Sequence, residues 1–118
     1  MLDEYIYGEI SRINPEASEA HLVKIKDKKY FLGGAANVAN NLASLGCGTY
    51  LFGIIGNDLD GEKIVELCDK AKINLESIAG YDGRPTTLKR RIMVDNRQII
   101  RMYYEKTDEI NRVLENMI

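Results

Sequence analysis

The spacing of apolar residues changes at residue 33, and the change predicts a helix. Val38, Leu42 and Leu45 recur at helical intervals. A stripe of small residues lies beside them, formed by Ala35, Ala39 and Ala43. Gly46 follows at the position where a left-handed residue commonly ends a helix. The pattern therefore predicts an amphipathic helix that closes at Gly46.

The next segments alternate between strand and helix patterns. Thr49 to Ile55 is mostly apolar and predicts a strand buried on both faces. A polar loop from Gly56 to Gly61 leads into a second helix, whose apolar positions are Ile64, Leu67, Cys68 and Ala71. A further short strand is predicted from Ile73 to Ile78. Such alternation predicts an α/β fold with parallel strands.

The segment before residue 33 has the composition of short strands. Tyr5-Ile6-Tyr7 predicts a strand that Gly8 ends. The stretch from His21 to Leu32 predicts two short strands around a polar turn at residues 27–29. Between these segments, Asn14-Pro15-Glu16 predicts a loop, because proline disrupts regular structure.

The last forty residues predict a hairpin and a helix. After a turn at residues 82–85, two strand-like segments, Thr86 to Val94 and Gln98 to Tyr104, flank a three-residue loop, Asp95-Asn96-Arg97. Thr107 is expected to cap a final helix. Its apolar face would consist of Ile110, Val113, Leu114 and Met117.

Composition limits the class of protein. The chain has 118 residues, 45% hydrophobic and 29% charged, with a formal net charge of -2, which is typical of a globular domain and unlike a disordered chain. No apolar run approaches the roughly 20 residues of a membrane-spanning helix, and the start is acidic, so we expect a cytoplasmic protein that does not enter the membrane. The near-neutral charge disfavours nucleic acid as a partner.

Cysteine and histidine content predicts no metal site. Cys47 and Cys68 lie in apolar segments without a C-x-x-C pattern, so we expect two small buried thiols in a reducing compartment. His21 is the one histidine of the chain. Without a cluster of cysteine and histidine residues, a zinc site is not expected.

Gly33-Gly34 precedes the first predicted helix and is the first candidate for chemistry. Two residues without side chains allow a ligand to reach backbone N–H groups at a helix N-terminus, where hydroxyls or an anion bind well. The spacing fits neither the dinucleotide fingerprint nor a P-loop. Asn37 adds an amide that can donate to and accept from a hydroxyl. Taken alone, the pair of glycines is also compatible with a tight turn that binds nothing.

The glycine segment resembles a family signature. Gly33-Gly34-Ala35-Ala36-Asn37-Val38-Ala39, followed by Gly46 and Gly56, is similar to the first signature of the PfkB, or ribokinase-like, carbohydrate kinases. Further segments resemble the kinase domain that phosphorylates D-glycero-β-D-manno-heptose 7-phosphate in bifunctional ADP-heptose synthases. These segments are Met1 to Tyr5, Ile10 to Ala17, Pro85 to Arg91 and Gln98 to Arg101. Ser18 and Tyr103 depart from that pattern, the first where the family continues with Pro and the second where it has Asp.

The resemblance implies a fold and a domain organisation. We expect the N-terminal portion of a ribokinase-like three-layer α/β/α fold with a β-strand lid. Residues 1–118 would be a truncated PfkB carbohydrate kinase domain, with lid strands at about 5–32 and 86–104 and an α/β core at about 33–80. The chain would begin just after the first core strand of the family, so both ends are expected to be cut.

The resemblance also implies a sugar site. Asp3 matches a carboxylate that accepts hydrogen bonds from sugar hydroxyls. Gly33, Gly34 and Asn37 match the sugar-contacting turn. Three basic residues of the hairpin would meet the sugar phosphate, or would form a solvated basic strand face: Lys89, Arg91 and Arg101. No residue is assigned a catalytic role, and none is assigned to a metal.

The implied activity is ATP-dependent phosphorylation of the anomeric hydroxyl of D-glycero-D-manno-heptose 7-phosphate, a step in ADP-heptose and lipopolysaccharide core synthesis. The full-length enzyme would use ATP and Mg²⁺. The family's later Gly-Ala-Gly-Asp segment, which supplies the catalytic Asp and the anion-binding turn, does not occur in this sequence. We therefore expect this chain alone to bind neither cofactor and to be inactive.

The expected partners are a phosphorylated sugar, a second copy joined through the lid strands, and a C-terminal kinase portion on another chain. Three alternatives remain open. The chain could come from another ribokinase-like sugar or nucleoside kinase, or could be a non-catalytic binding or dimerisation module. RNA binding through the hairpin, with Tyr103 and Tyr104 stacking on bases, is the least favoured.

Overall fold

A computed structural model of the chain describes residues 1–14, 17–110 and 112–116. Within these residues the chain forms six strands and three helices. In order they are β1 (Leu2–Asn14), β2 (Ala17–Leu32), α1 (Ala35–Ser44), β3 (Gly53–Gly56), α2 (Leu59–Lys70), β4 (Ile78–Tyr81), β5 (Leu88–Val94), β6 (Arg97–Tyr104) and α3 (Arg112–Glu115). Among the helices of this described part, none is long and apolar enough to cross a membrane.

The strands form two sheets. The larger sheet has the order β2-β1-β5-β6, in which β1 runs antiparallel to β2 and parallel to β5, and β5 runs antiparallel to β6. The smaller sheet is the parallel pair β3-β4. The core lies where one end of the larger sheet packs against the helices, and its buried members are Leu2, Leu32, Ala36, Ala39, Ile64, Cys68, Ile73 and Leu88.

The first two strands are longer than the local sequence pattern predicts. β1 continues through Gly8, and β2 is one continuous strand through residues 27–29, so both the early end at Gly8 and the polar turn are wrong. A Cβ on Gly8 would lie 2.8 Å from the Lys24 carbonyl oxygen, so this glycine allows a close approach of the two strands. The ladder between β1 and β2 overrides the local turn signal. The predicted loop residues Pro15 and Glu16 lie outside the described residues.

The helix α1 ends as predicted but buries a different face. The Gly46 amide donates to the Ala43 carbonyl and the Cys47 amide to the Leu42 carbonyl, the two bonds of a Schellman motif, and Gly46 has φ +86. The small residues Ala36 and Ala39 are buried, whereas the stripe predicted from Val38, Leu42 and Leu45 is exposed, Leu45 by 81%. The close approach of α1 to the core favours alanine on the inner side.

The parallel pair β3-β4 confirms the predicted parallel strands but shifts their positions. β3 begins four residues later than expected, and β4 begins at the residue where the predicted strand ended. Burial on both faces is wrong for this segment, because Tyr50 and Phe52 are exposed, Phe52 by 58%. β3 forms backbone hydrogen bonds with β4 along one edge only. Within the described residues, no helix or strand packs over the Phe52 side chain.

The helix α2 has the apolar face that its sequence predicts, since Ile64 and Cys68 are buried and Leu67 and Ala71 pack against the core. The predicted loop before it is shorter, because α2 already begins at Leu59. Of the two cysteines, Cys68 is buried but Cys47 is exposed, which corrects the expectation of two buried thiols. Cys47 directly follows the left-handed Gly46, where the chain leaves the helix.

The C-terminal hairpin is confirmed with a tighter turn. Asp95 and Asn96 have φ of 49 and 62, as the two central residues of a type I′ turn require. Arg97 already pairs with Val94, so the connection has two residues rather than three.

The last helix is shorter than predicted. It spans only Arg112–Glu115, so Thr107 does not cap it and Ile110 precedes it. Of the face predicted for this helix, Met117 lies outside the described residues, and nothing is described of the side chains of Val113 and Leu114.

Candidate substrate-binding site

The larger sheet has two chemically different faces, because side chains alternate along each strand. One face carries most of the side chains that the sequence singled out. We call it the Asp3 face, and its members are Asp3, Tyr5, Phe31, Lys89, Arg91, Arg101 and Tyr103. The opposite face turns toward α2 and the core.

Asp3 and Arg91 form an ion pair on this face. Arg91 Nη1 donates to Asp3 Oδ1 at 2.8 Å, and the two side chains are 13% and 19% exposed, respectively. The hydrogen bond to Asp3 raises the pKa of the Arg91 guanidinium above its ordinary value. Arg91 is therefore neither free in solvent nor available as an unpaired cation.

The glycine turn lies against the same carboxylate. The Gly33 amide donates to the Met1 carbonyl at 3.0 Å, and a Cβ on Gly33 would lie only 2.7 Å from Asp3 Oδ2. Gly34 has φ +56, a conformation that favours glycine, and α1 starts at the next residue. A side chain on Gly33 would collide with Asp3 Oδ2, and the left-handed backbone at Gly34 favours glycine, so both positions suit a residue without a side chain.

Asn37 lies in the first turn of α1, where its backbone N–H donates to the Gly34 carbonyl at 3.0 Å. Its side chain is exposed. The structure thus brings Gly33 and Arg91 each against Asp3, whereas Gly34 and Asn37 follow along the chain into the start of α1.

Lys89 and Arg101 are positioned by an aromatic ring. Lys89 Nζ and Arg101 Cζ each lie 5.2 Å from the centroid of the Tyr103 ring, within the range of cation–π attraction. Lys89 pairs with Tyr103 across β5 and β6. Tyr103 is one of the two residues that depart from the family pattern, and its only predicted role was stacking on RNA bases, the least favoured alternative. The alternation of basic and aromatic residues in β5 and β6 is the signal that could have shown its place on this face.

A second ion pair, which the sequence analysis missed, lies on the opposite face. Glu4 is only 1% exposed and pairs with Arg90, its register partner in β5. The pKa of the neighbouring Tyr30 is raised above its ordinary value. The larger cause is burial of the Tyr30 hydroxyl, and the second is the charge of Glu4. Alternation of Leu2, Glu4 and Ile6 could have indicated a buried carboxylate.

Asp58 is a further missed residue with a structural contact. Its Oδ1 accepts from the Gly61 amide and its Oδ2 from the Thr86 amide, both at 2.8 Å. Partial burial by itself would raise the pKa of Asp58, but the hydrogen bonds from Thr86 and Gly61 outweigh it and hold the pKa below its ordinary value. The spacing Asp58-x-x-Gly61 is the N-cap signal that could have been used.

The residues present suit hydroxyls and an anion rather than a metal. In the described ranges no group of three His, Cys, Asp or Glu side chains could hold a metal ion. The carboxylate, amide and cationic groups of the Asp3 face accept from, donate to and neutralise a polar ligand.

Comparison with known structures identifies the fold. The structure is similar to Arabidopsis thaliana ribokinase, which was solved in complex with ribose and ATP. The TM-score is 0.66 and the identity 25%, over 87% of this chain and 33% of that chain. The arrangement of a mixed sheet with helices is thus that of the N-terminal α/β portion of a ribokinase-like fold.

Two curated relatives are named bifunctional protein HldE. The one from Helicobacter acinonychis is 39% identical over 109 residues, which are 92% of this chain and 23% of that protein. The one from Sulfurimonas denitrificans is 37% identical over 112 residues, 95% of this chain and 23% of that protein. The chain therefore spans about a quarter of the length of these relatives. The model of the pfkB family carbohydrate kinases matches residues 5–115, and the chain belongs to that family.

Proposed function

We propose that this chain is the sugar-binding part of an ATP-dependent kinase that phosphorylates the anomeric hydroxyl of D-glycero-D-manno-heptose 7-phosphate. The observation that carries the proposal is the contact of the Asp3 carboxylate with the Gly33 turn, beside the cations Lys89 and Arg101. The likeness to proteins named HldE supports the heptose substrate, and the reaction belongs to ADP-heptose and lipopolysaccharide core synthesis.

Each group of the site has a role in this proposal. Asp3 accepts hydrogen bonds from sugar hydroxyls, and the Gly34 amide together with the Asn37 side chain completes the hydroxyl-binding turn. Gly33, whose amide already donates to Met1, leaves room beside the Asp3 carboxylate. Lys89 and Arg101, which lie against Tyr103 on the β6 side of Asp3, neutralise the 7-phosphate. Arginine and lysine suit phosphate oxygens as charged donors.

The phosphoryl-transfer part is proposed to lie elsewhere. Transfer requires a base for the attacking hydroxyl and an anion-stabilising turn, which the family takes from a Gly-Ala-Gly-Asp segment. This sequence contains no such segment. We propose that ATP and Mg²⁺ bind where that segment is supplied, such as a C-terminal kinase portion on another chain, and that this chain alone transfers no phosphate.

The lid over the sugar is proposed to consist of the strands at about 5–32 and 86–104, and the α/β core at about 33–80 is proposed to be its base. The outer strands of the larger sheet, β2 and β6, have unpaired edges within the described residues. A second copy of the chain could pair there, so a homodimer through the lid strands is part of the proposal. Its place is the cytoplasm, where ATP is available.

The competing candidates make different predictions for ligand binding. A ribokinase-like kinase for an unphosphorylated sugar would not use the positive charge of Lys89 and Arg101. A non-catalytic dimerisation module would bind no sugar. The pairing of both cations with Tyr103, on the face that carries Asp3, favours a phosphorylated sugar over these alternatives.

The test is calorimetric titration of the purified chain with D-glycero-D-manno-heptose 7-phosphate, the same heptose without phosphate, and ribose. We expect saturable binding with preference for the phosphorylated heptose, lost in Asp3→Ala and Asn37→Ala. Matched controls are Asp69→Ala and Asn41→Ala, exposed helical positions away from the turn. No binding by a chain with native circular dichroism, or an equal affinity for ribose, would contradict the proposal.

A further inference from the structure

We infer that Arg91 is a positioning residue for Asp3 and not a ligand of the substrate phosphate. The inference rests on the proposed function and deepens it, because it divides the basic residues of the Asp3 face between two tasks. Arg91 acts at the hydroxyl end through a carboxylate. Lys89, the register partner of Asp3 in β5, and Arg101 in β6 bind the phosphate instead.

The Arg91 guanidinium is held on two sides. One side donates to Asp3 Oδ1 at 2.8 Å, and the other lies over the Tyr5 ring with Cζ 4.9 Å from its centroid. The Tyr5 ring is itself fixed by an edge-on contact with Phe31, with centroids 5.6 Å apart and planes at 88°. A planar guanidinium suits this arrangement, because it can stack on a ring and donate in its plane at the same time.

The Asp3 carboxylate is consequently restricted to one orientation. Its Oδ1 is occupied by Arg91, and its Oδ2 faces the Gly33 turn, where a Cβ would approach to 2.7 Å. A ligand hydroxyl that donates to Asp3 therefore meets Oδ2 beside the glycine backbone. Without Arg91 the carboxylate, which is 19% exposed, would lose its charged partner and could rotate away from the turn.

Lys89 and Arg101 differ from Arg91 in their partners. Within the described part of the chain, neither forms an ion pair with a carboxylate, and both lie against the Tyr103 ring. A cation on an aromatic ring keeps its full charge and its donors for an incoming anion. These two residues therefore hold the positive charge that a phosphate would neutralise.

The experiment compares Arg91→Gln with Arg101→Gln, its cross-strand neighbour, in the intact chain. The probes are D-glycero-D-manno-heptose 7-phosphate, the heptose without phosphate, and inorganic phosphate. Arg91→Gln is expected to weaken the binding of both sugars by the same factor, about tenfold or more, and to leave the affinity for inorganic phosphate unchanged. Arg101→Gln is expected to lower only the affinities for the heptose 7-phosphate and for inorganic phosphate.

A double variant supplies an independent readout. Asp3→Asn with Arg91→Gln is expected to bind the heptose no more weakly than Asp3→Asn alone, because Arg91 acts through that carboxylate. If Arg91→Gln fails to fold, Arg91→Lys replaces it. The lysine ammonium keeps the positive charge but cannot stack on Tyr5 and donate to Asp3 as the planar guanidinium does. Arg91→Lys should therefore weaken the binding of both sugars equally.

Three results overturn the inference. The first is an Arg91 variant that loses affinity only for the phosphate-containing probes. The second is a folded Arg91 variant that keeps full affinity. The third is a double variant whose loss of affinity equals the sum of the two single losses. Wild-type binding separates this failure from that of the proposed function. A wild-type chain that binds no heptose 7-phosphate overturns both, whereas wild-type binding with any of the three results overturns only the role of Arg91.

Discussion

The Thr86 backbone amide donates a hydrogen bond to Asp58 Oδ2 at 2.8 Å and so joins the start of α2 to the approach to β5. The Thr86 hydroxyl in turn accepts from the Gly56 amide at 2.8 Å, and Thr86 is only 2% exposed. The same carboxylate accepts from Gly61 at the first turn of α2. One side chain therefore links the first turn of α2 to the segment that leads into β5.

Asp58→Ala should destabilise the chain by about 2 kcal/mol, because an N-cap and a charged hydrogen bond to a buried segment are both lost. Chemical denaturation measures the change. Asp69→Ala, at an exposed position in α2, is the control and should stay within about 0.5 kcal/mol of the wild type. Equal stability of the two variants would show that the Thr86 contact contributes nothing.

The stability should also depend on pH through Asp58. Its pKa in the folded chain is lowered from the ordinary value of 3.8. The contribution is therefore fully present above that value and is lost as the pH falls through the folded-state pKa. Denaturation curves between about pH 5 and pH 2 should converge for wild type and Asp58→Asn at the acid end. A constant difference over that range would contradict this assignment.

Arg90→Leu should leave the buried Glu4 carboxylate without its partner. Removing one member of a buried pair typically costs several kcal/mol, but Arg90 is 28% exposed, so we expect about 2 kcal/mol. Arg97→Leu, at an exposed position of β6, is the matched control. The double variant Glu4→Leu with Arg90→Leu should recover part of the loss in thermal unfolding, because no uncompensated charge remains. A double variant less stable than Arg90→Leu would refute the argument.

Gly33→Ala should weaken sugar binding by displacing Asp3. The new methyl group would lie 2.7 Å from Asp3 Oδ2 and 2.8 Å from Met1 Cε, so the carboxylate has to move. Gly48→Ala is the control, because a Cβ there meets nothing within 4 Å. Calorimetry with the heptose phosphate should show a loss of more than about tenfold for Gly33→Ala only. Unchanged affinity in Gly33→Ala would place the ligand elsewhere.

Asn96→Gly should stabilise the hairpin by about 0.5 kcal/mol, because the second position of a type I′ turn favours glycine. Asn96 has φ 62 and lies in the exposed turn. The melting temperature measures the effect, with Asn74→Gly as the control that should destabilise, since its side chain accepts from the Glu76 amide. A lower melting temperature for Asn96→Gly would contradict the turn assignment.

The local helix and turn chemistry was predictable because neighbouring residues decide it. The end of α1 at Gly46, the apolar face of α2 and the hairpin around Asp95 follow from spacing and from residues that favour left-handed backbone. The family signature around Gly33 likewise depends on consecutive residues. These features required no knowledge of distant contacts.

Long-range pairing decided the remainder. Local signals at Gly8 and residues 27–29 predicted that the strands end there. The β1-β2 ladder instead shifts its register between Tyr7 and Gly8, and pairing continues beyond that shift. The exposure of Leu45, the burial of Glu4 and the Asp58 contact with Thr86 likewise depend on which elements meet.

For the candidate site, the sequence by itself determined the residue types, through the Gly33 signature and the resemblance that singled out Asp3, Arg91 and the other basic residues. Only the tertiary structure decided their partners. The parallel pairing of β1 with β5 places Asp3 opposite Lys89 and diagonal to Arg91, so that Arg91 neutralises Asp3 while Lys89 rests on Tyr103. Strand register, which no local pattern encodes, is the physical reason that three basic residues alike in sequence have two different environments.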